Sequence, residues 1–252
     1  MPVLVLAETI IDDYRKYDVT KTKFTLEKSA KDLRYPWALS FIDKTNVLIT
    51  EKDGGLYKVD VLSGKKQKIK HNIPHIDYDG GGQGGLLDVN FNPSDGYTYF
   101  TYSHKSSKLT RSKQLSKKSS TAIARGRLIE NEIKDFEILL IAKPEFLENR
   151  HYGSRIAIKG DDLFVSFGER GQGMISQDPS KHPGSIVRIK TDGSIPHDNP
   201  HFSERMDWLP EIYLIGVRNP QGIAVSPHDD EIYFSSHGPR GGDHIGEVEF
   251  GS

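Results

Sequence analysis

The chain has 252 residues, with 34 Lys and Arg set against 35 Asp and Glu for a formal net charge of -1. That balance lacks the basic excess of a nucleic-acid binder, and the absence of Cys excludes disulfides and thiolate chemistry. Apolar residues make up 35%, and 24 Gly with 13 Pro break the sequence into short pieces, a composition that suits many short strands rather than a helical bundle.

The first piece, Met1 to Ala7, reads MPVLVLA before a polar stretch that begins at Glu8. It has no basic leading region and is too short to span a membrane, but it resembles the end of a signal peptide. Residues 1–7 are therefore expected to be a signal remnant and 8–252 the domain, which places the protein in the periplasm or outside the cell; the other reading is an ordinary buried strand. No other segment is apolar enough for a membrane span.

A repeated unit follows. Trp37-Ala-Leu-Ser-Phe-Ile leads through a turn to Asn46-Val-Leu-Ile-Thr and then to Gly55-Leu-Tyr-Lys-Val. The second copy pairs Gly85-Leu-Leu-Asp-Val-Asn-Phe with Tyr97-Thr-Tyr-Phe-Thr-Tyr across Asn92-Pro-Ser-Asp-Gly. The third pairs Ser154-Arg-Ile-Ala-Ile with Leu163-Phe-Val-Ser-Phe, followed by Gly184-Ser-Ile-Val-Arg-Ile, and the fourth pairs Gly222-Ile-Ala-Val with Glu231-Ile-Tyr-Phe-Ser. Each copy has the hairpin pattern of a strand, a Gly/Asp/Asn/Pro turn and a β-branched or aromatic strand. Copies begin about 50 to 70 residues apart, the spacing of propeller blades with loop insertions rather than of sandwich strands. The expected fold is all-β, an incomplete β-propeller with little helix. The basic stretch from His104 to Ser120 has no aromatics between its charges and reads as a solvated loop between adjacent strands.

Four polar clusters lie beside the first strand of a copy or after the second, positions that crowd round the mouth of a propeller channel. In Asp79-Gly-Gly-Gly-Gln83 the glycines precede a strand and no Lys follows, so the loop fits a close approach of Gln83 to a ligand better than a phosphate cradle. His151, in Asn149-Arg-His-Tyr-Gly-Ser-Arg155, reads first as a hydrogen-bonded structural histidine, although an imidazole can also take a proton from a hydroxyl. Arg218-Asn219-Pro-Gln221 offers a guanidinium and two amides suited to carboxylates and quinone-like oxygens. His237-Gly238-Pro239-Arg-Gly-Gly-Asp243 presents oxygen donors suited to Ca²⁺, whereas the histidines lack zinc spacing.

In this order, the clusters resemble the soluble pyrroloquinoline-quinone (PQQ) dependent aldose sugar dehydrogenases and the related soluble quinoprotein glucose dehydrogenases. Tyr35-Pro-Trp-Ala-Leu-Ser-Phe, Gln83-Gly-Gly-Leu-Leu, Thr121-Ala-Ile-Ala-Arg-Gly-Arg-Leu, His151-Tyr-Gly-Ser-Arg-Ile, Gly168-Glu-Arg, Gln177-Asp-Pro-Ser-Lys-His-Pro-Gly, Asp192-Gly-Ser-Ile-Pro-His-Asp-Asn-Pro, Arg218-Asn-Pro-Gln-Gly and His237-Gly-Pro-Arg-Gly-Gly-Asp carry the resemblance. It implies a six-bladed propeller family, with PQQ and Ca²⁺ as cofactors, an aldose as substrate and an external electron acceptor as partner. His151 then resembles the general base for the anomeric hydroxyl, and Gln83 a contact to sugar or quinone. Arg218, Asn219 and Gln221 resemble the PQQ-binding cluster; the carbonyls of Gly238 and Pro239, with Asp243 beside them, resemble the Ca²⁺ loop. His244 after Asp243 and Pro183 before Gly184 depart from the family pattern.

Family members continue beyond the motif that ends here in Val248-Glu-Phe-Gly-Ser252, so about four of six blades are expected, from a truncated frame or gene fragment. Such a chain alone is expected to bind PQQ poorly and turn over little. Two other readings are a non-catalytic propeller that binds a sugar or protein at its mouth, and a lactonase-type metal hydrolase propeller.

Overall fold

The computed structural model describes residues 28–106, 117–203 and 205–252. The expected signal remnant, residues 1–7, and the middle of the basic stretch lie outside the described residues. Among the described residues there are fifteen strands in four antiparallel sheets, and helical structure is confined to short 3₁₀ turns.

The first sheet runs β1 (Pro36–Phe41), β2 (Asn46–Glu51), β3 (Leu56–Asp60), β4 (Lys66–Lys68). The second is β5 (Leu86–Asn92), β6 (Tyr97–Lys105), β7 (Ser119–Ile129), β8 (Glu132–Ile141). The third is β9 (Ile156–Lys159), β10 (Asp162–Ser166), β11 (Ser185–Lys190), β12 (Ile212–Ile215). The fourth has three strands, β13 (Pro220–Val225), β14 (Ile232–Ser236), β15 (His244–Glu247). Each sheet is a simple meander, and the first strands β1, β5, β9 and β13 pack against one another in sequence, which is a four-blade β-propeller arrangement. The four hairpins read from the sequence are β1–β2, β5–β6, β9–β10 and β13–β14, and the ends of the basic stretch fall in the paired strands β6 and β7.

The period-2 geometry of a strand explains why central strands are apolar at both parities. Phe100 faces a core shared with Leu48, Leu56 and Leu86 of the first two blades. Its neighbour Tyr99 faces a core shared with Ile156, Leu163 and Val165 of the third. Phe164, between Leu163 and Val165, turns the other way, to Ile186, Ile232 and Phe234. Each fully buried aliphatic side chain contributes about 1.5–3 kcal/mol. In β14 only one parity is apolar: Ile232 and Phe234 are buried, while Ser235 is exposed.

A hydroxyl on the second strand of each of the first three blades joins it to the next blade. Thr50 Oγ1 donates to Leu87 O at 2.6 Å, Thr101 Oγ1 to Ser154 O at 2.6 Å, and Ser166 Oγ to Pro220 O at 3.1 Å. The same three hydroxyls accept main-chain N–H groups within their own blades, from Ala38, Asp88 and Arg155. These bonds set the height of each innermost strand against the next, and so align the loops above them.

Candidate active site

Antiparallel pairing places the start of each first strand and the end of each second strand at the same end of a blade. At that end the segments before β5, β9 and β13 meet those after β10 and β14, and hydrogen bonds link them.

The segment 149–155 is the centre of this network. His151 has φ +52°, Gly153 +63° and Ser154 +84°. For non-glycine residues this left-handed backbone costs about 1–2 kcal/mol each and persists only where its surroundings impose it. Here they do. His151 N donates to Gln83 Oε1 at 2.6 Å, Gly153 N to Asn219 Oδ1 at 3.1 Å, and Ser154 N to Ser166 O at 2.6 Å. The Gly-rich loop is locked to the same segment: Gln83 N donates to Asn149 O at 3.0 Å and Gly84 N to Asn149 Oδ1 at 3.1 Å. A Cβ on Gly82 would lie 2.0 Å from the Asn149 amide nitrogen, which accounts for a glycine there.

The His151 ring is held by Glu169, which is 3% exposed. His151 Nδ1 contacts Glu169 Oε1, and Glu169 Oε2 accepts Gly173 N at 2.8 Å. An ionised carboxylate only accepts, so Nδ1 carries the proton and Nε2 of the neutral ring keeps its lone pair. Arg218 Nε lies 4.0 Å from the same Glu169 oxygen, and Arg218 O accepts Glu169 N at 2.8 Å. One carboxylate thus sits between an imidazole and a guanidinium. The segment that follows β10 and bears Glu169 passes close to His151: a Cβ on Gly168 would lie 2.2 Å from His151 O. Gly168→Ala is therefore expected to destabilise the protein by about 1–3 kcal/mol through overpacking, read as a lowered thermal midpoint; an unchanged midpoint would contradict this packing.

Arg218, with its side chain 35% exposed, reaches across to the last loop, where Nη1 donates to His237 O and Gly238 O at 3.3 Å each. Asn219 is buried, its carboxamide oxygen committed to Gly153. Gln221 lies in β13. Its main-chain oxygen accepts Arg155 Nε at 2.9 Å, and it lines an open cleft with Ser235, His237, Asp243 and His244. Asp243 Oδ1 accepts Gly238 N at 2.8 Å, and this bond holds its carboxyl below the usual carboxylate range. Pro239 O accepts Gly242 N at 3.1 Å.

These placements allow a test of the two implied cofactors. Guanidinium and amide groups converging beside a buried imidazole–carboxylate pair match an anionic, oxygen-rich quinone such as PQQ. The last loop is a poorer match to Ca²⁺, which takes six to eight oxygens. The carbonyls of Gly238 and Pro239 already accept protein N–H groups, and Asp243 is turned onto Gly238 N. No group of three or more His, Asp or Glu able to hold a metal occurs among the described residues.

Below the mouth, residues from all four innermost strands and their lead-ins meet. Arg155 Nη1 is 3.1 Å from Asp88 Oδ1, Ile156 N donates to Asp88 Oδ2 at 2.8 Å, and the Arg155 guanidinium stacks 4.1 Å from the Trp37 ring centre. With the bond to Gln221 O, this hub joins the first strands of every blade.

The structure therefore brings together Gln83, His151, Arg218, Asn219 and Gly238, and sets Gln221, Pro239 and Asp243 to one side of them. Sequence reasoning gave no role to Glu169, although Gly168-Glu-Arg formed part of the resemblance. The available signal was positional: an acidic residue just after the second strand of the copy whose first strand follows His151.

A buried imidazole–carboxylate pair and a guanidinium thus stand together at one end of a β-propeller. Residues 33–252 match the family model described as glucose / sorbosone dehydrogenase, and the chain belongs to that family. It is 34% identical over 220 residues to the aldose sugar dehydrogenase YliI of Escherichia coli (strain K12), covering 84% of this chain and 56% of the relative. It is 26% identical over 238 residues to quinoprotein glucose dehydrogenase B of Acinetobacter calcoaceticus, covering 85% and 48%. The crystal structure of the soluble aldose sugar dehydrogenase of Escherichia coli in its apo-form superposes with a TM-score of 0.78 at 32% identity, covering 90% of this chain and 64% of that one. The chain spans about half the length of the curated relatives it matches.

Proposed function

We propose that this chain carries the proton-accepting centre and part of the quinone site of a PQQ-dependent aldose dehydrogenase, which oxidises the anomeric carbon of a sugar to the lactone. The observation that carries this reading is His151 Nδ1 bound to the buried Glu169, with Arg218 4.0 Å from the same carboxylate. His151 Nε2 takes the proton of the anomeric hydroxyl, a general-base role. Glu169 keeps the ring in the required tautomer and stabilises the imidazolium that forms. Gln83 and Asn219 fix the main chain of the His151 segment, and Gln83 and Arg218 present donors at the rim of the site. PQQ, when bound, supplies the two-electron acceptor for the hydride that leaves the anomeric carbon. The Arg218 guanidinium steadies negative charge on acceptor oxygens held beside it. An external acceptor then reoxidises the system, in the periplasm or outside the cell.

The family resemblance adds Ca²⁺ as a second cofactor, to which Gly238 and Pro239 would offer main-chain oxygens. The chain's own donors there are too few to complete its shell, and no step above runs through it.

Titrating PQQ, followed by absorbance, into this chain completed to the six blades that the family resemblance implies tests the reading. Arg218→Ala is expected to weaken binding by about 10- to 100-fold, the loss of one charge-assisted contact. Failure of PQQ to bind, or equal binding by the variant, would overturn the proposal and leave a non-catalytic propeller that takes a sugar or protein at its mouth.

A further inference from the structure

Arg170, the residue next to Glu169, is among the largest fully buried side chains of the protein. Its hydrogen-bond partners are main-chain carbonyls and a hydroxyl. Nε donates to Arg150 O at 3.0 Å, Nη1 to Ser119 O at 2.8 Å, and Nη2 to Glu148 O, with Ser119 Oγ at 3.5 Å. The guanidinium carbon lies 3.7 Å from the centre of the Tyr152 ring, and the Tyr152 hydroxyl is 2.8 Å from Ser119 Oγ. Arg170 N also donates to His151 O at 3.3 Å. Burying a cation is costly unless dipoles and hydrogen bonds replace water. Here carbonyl dipoles on the edge and an aromatic ring on the face do so.

These partners bracket one residue. Glu148 and Arg150 precede His151, Tyr152 follows it, and Ser119 opens β7 as a fixed anchor. The two consecutive residues after Gly168 therefore grip the same histidine in different ways, Glu169 by its ring and Arg170 by its main chain. We propose that Arg170 is a positioning residue for His151: its planar fork gathers the carbonyls of 148 and 150 against Ser119 and so holds the left-handed backbone at 151 that presents the ring to Glu169. A lysine could not replace it, since an ammonium has no rigid fork to serve three separated acceptors and no planar face to stack.

The inference rests on the proposed role of His151, but it makes a claim about the unliganded chain, so it is tested without PQQ or sugar. The readout is the downfield imidazole proton of the His151–Glu169 contact in NMR spectra of ¹⁵N-labelled protein, assigned by its disappearance in His151→Gln. In Arg170→Met this proton is expected to exchange with solvent at least about tenfold faster, because local opening of the segment is no longer opposed. Arg170→Lys, which keeps the charge and most of the side-chain length, is expected to show the same direction of change and decides the matter if the Met variant does not fold. Arg188→Met is the control; it removes another largely buried arginine, paired with Asp162 on the third blade, and should leave the resonance unchanged. An unchanged resonance in a folded Arg170 variant overturns the proposal. So does an equal change in Arg188→Met, which would mean general loosening. Failure of PQQ to bind would sink the functional reading while leaving this result standing.

Discussion

In this chain completed to the six blades that the family resemblance implies, replacing His151 by alanine is expected to lower PQQ-dependent aldose oxidation by about 10²- to 10⁴-fold, the usual contribution of a positioned general base, while PQQ affinity stays close to that of the unmodified protein. The argument is one of atoms. Nδ1 is committed to Glu169, so Nε2 is the ring's only nitrogen with a free lone pair, and the side chain keeps 11% of its surface exposed, enough for a hydroxyl to reach one edge. Alanine also leaves the buried Glu169 without its ring partner, which costs stability. His151→Gln separates the two effects, since its amide can still donate to Glu169 but has no basic nitrogen. Both variants should show the same loss of turnover, measured as sugar-dependent dye reduction at saturating aldose, and the glutamine variant should melt closer to the unmodified protein. A glutamine variant that keeps more than about a tenth of the rate would remove His151 from the base role.

The second large effect concerns stability. Arg155→Ala is expected to destabilise the protein by about 3 kcal/mol near neutral pH, because it strips the partner from a buried carboxylate. Burial pushes the Asp88 carboxyl up to about 6, against the pull of the Arg155 guanidinium and of the Ile156 and Val89 N–H groups. The sign follows from linkage. A carboxyl whose folded value lies above its unfolded value binds its proton more tightly in the folded state. Its favourable contribution is therefore complete below about pH 4 and lost as pH rises through about 6. Removing Arg155 disfavours the carboxylate further, so the penalty should be largest at pH 7 and much smaller at pH 4, where Asp88 is protonated in both proteins. Urea unfolding at the two pH values measures it. An equal loss at both would assign the effect to the stack on Trp37 rather than to charge.

Asp88 and Arg155 also mark the limit of what a linear reading sees. They are separated by 66 intervening positions and sit in unremarkable stretches, Leu-Leu-Asp-Val in β5 and Ser-Arg-Ile-Ala at the start of β9. Nothing local distinguishes them from solvent-facing residues. Only the approach of β5 to the lead-in of β9 reveals an inter-blade pair and buries its carboxylate. Glu169 escaped a role for the same reason, although its motif was recognised. Gln83 and Asn219 gained a second role: both were read as ligand contacts, and both have a side-chain oxygen engaged in holding the His151 segment. The Ca²⁺ loop changed least in position but most in chemistry, because the hydrogen bonds that close it use the oxygens a metal would need.

The sequence by itself determined the repeat, its hairpins, the low helix content and the set of loops that face one another. Those are consequences of period-2 patterning and turn chemistry, which act over a few residues. Which atoms meet in those loops was decided by the tertiary structure alone. The left-handed turn at His151, the carboxylate beneath it and the buried arginine beside it depend on blades stacked at fixed heights by Thr50, Thr101 and Ser166. No local pattern encodes that alignment, because each of its bonds joins residues dozens of positions apart.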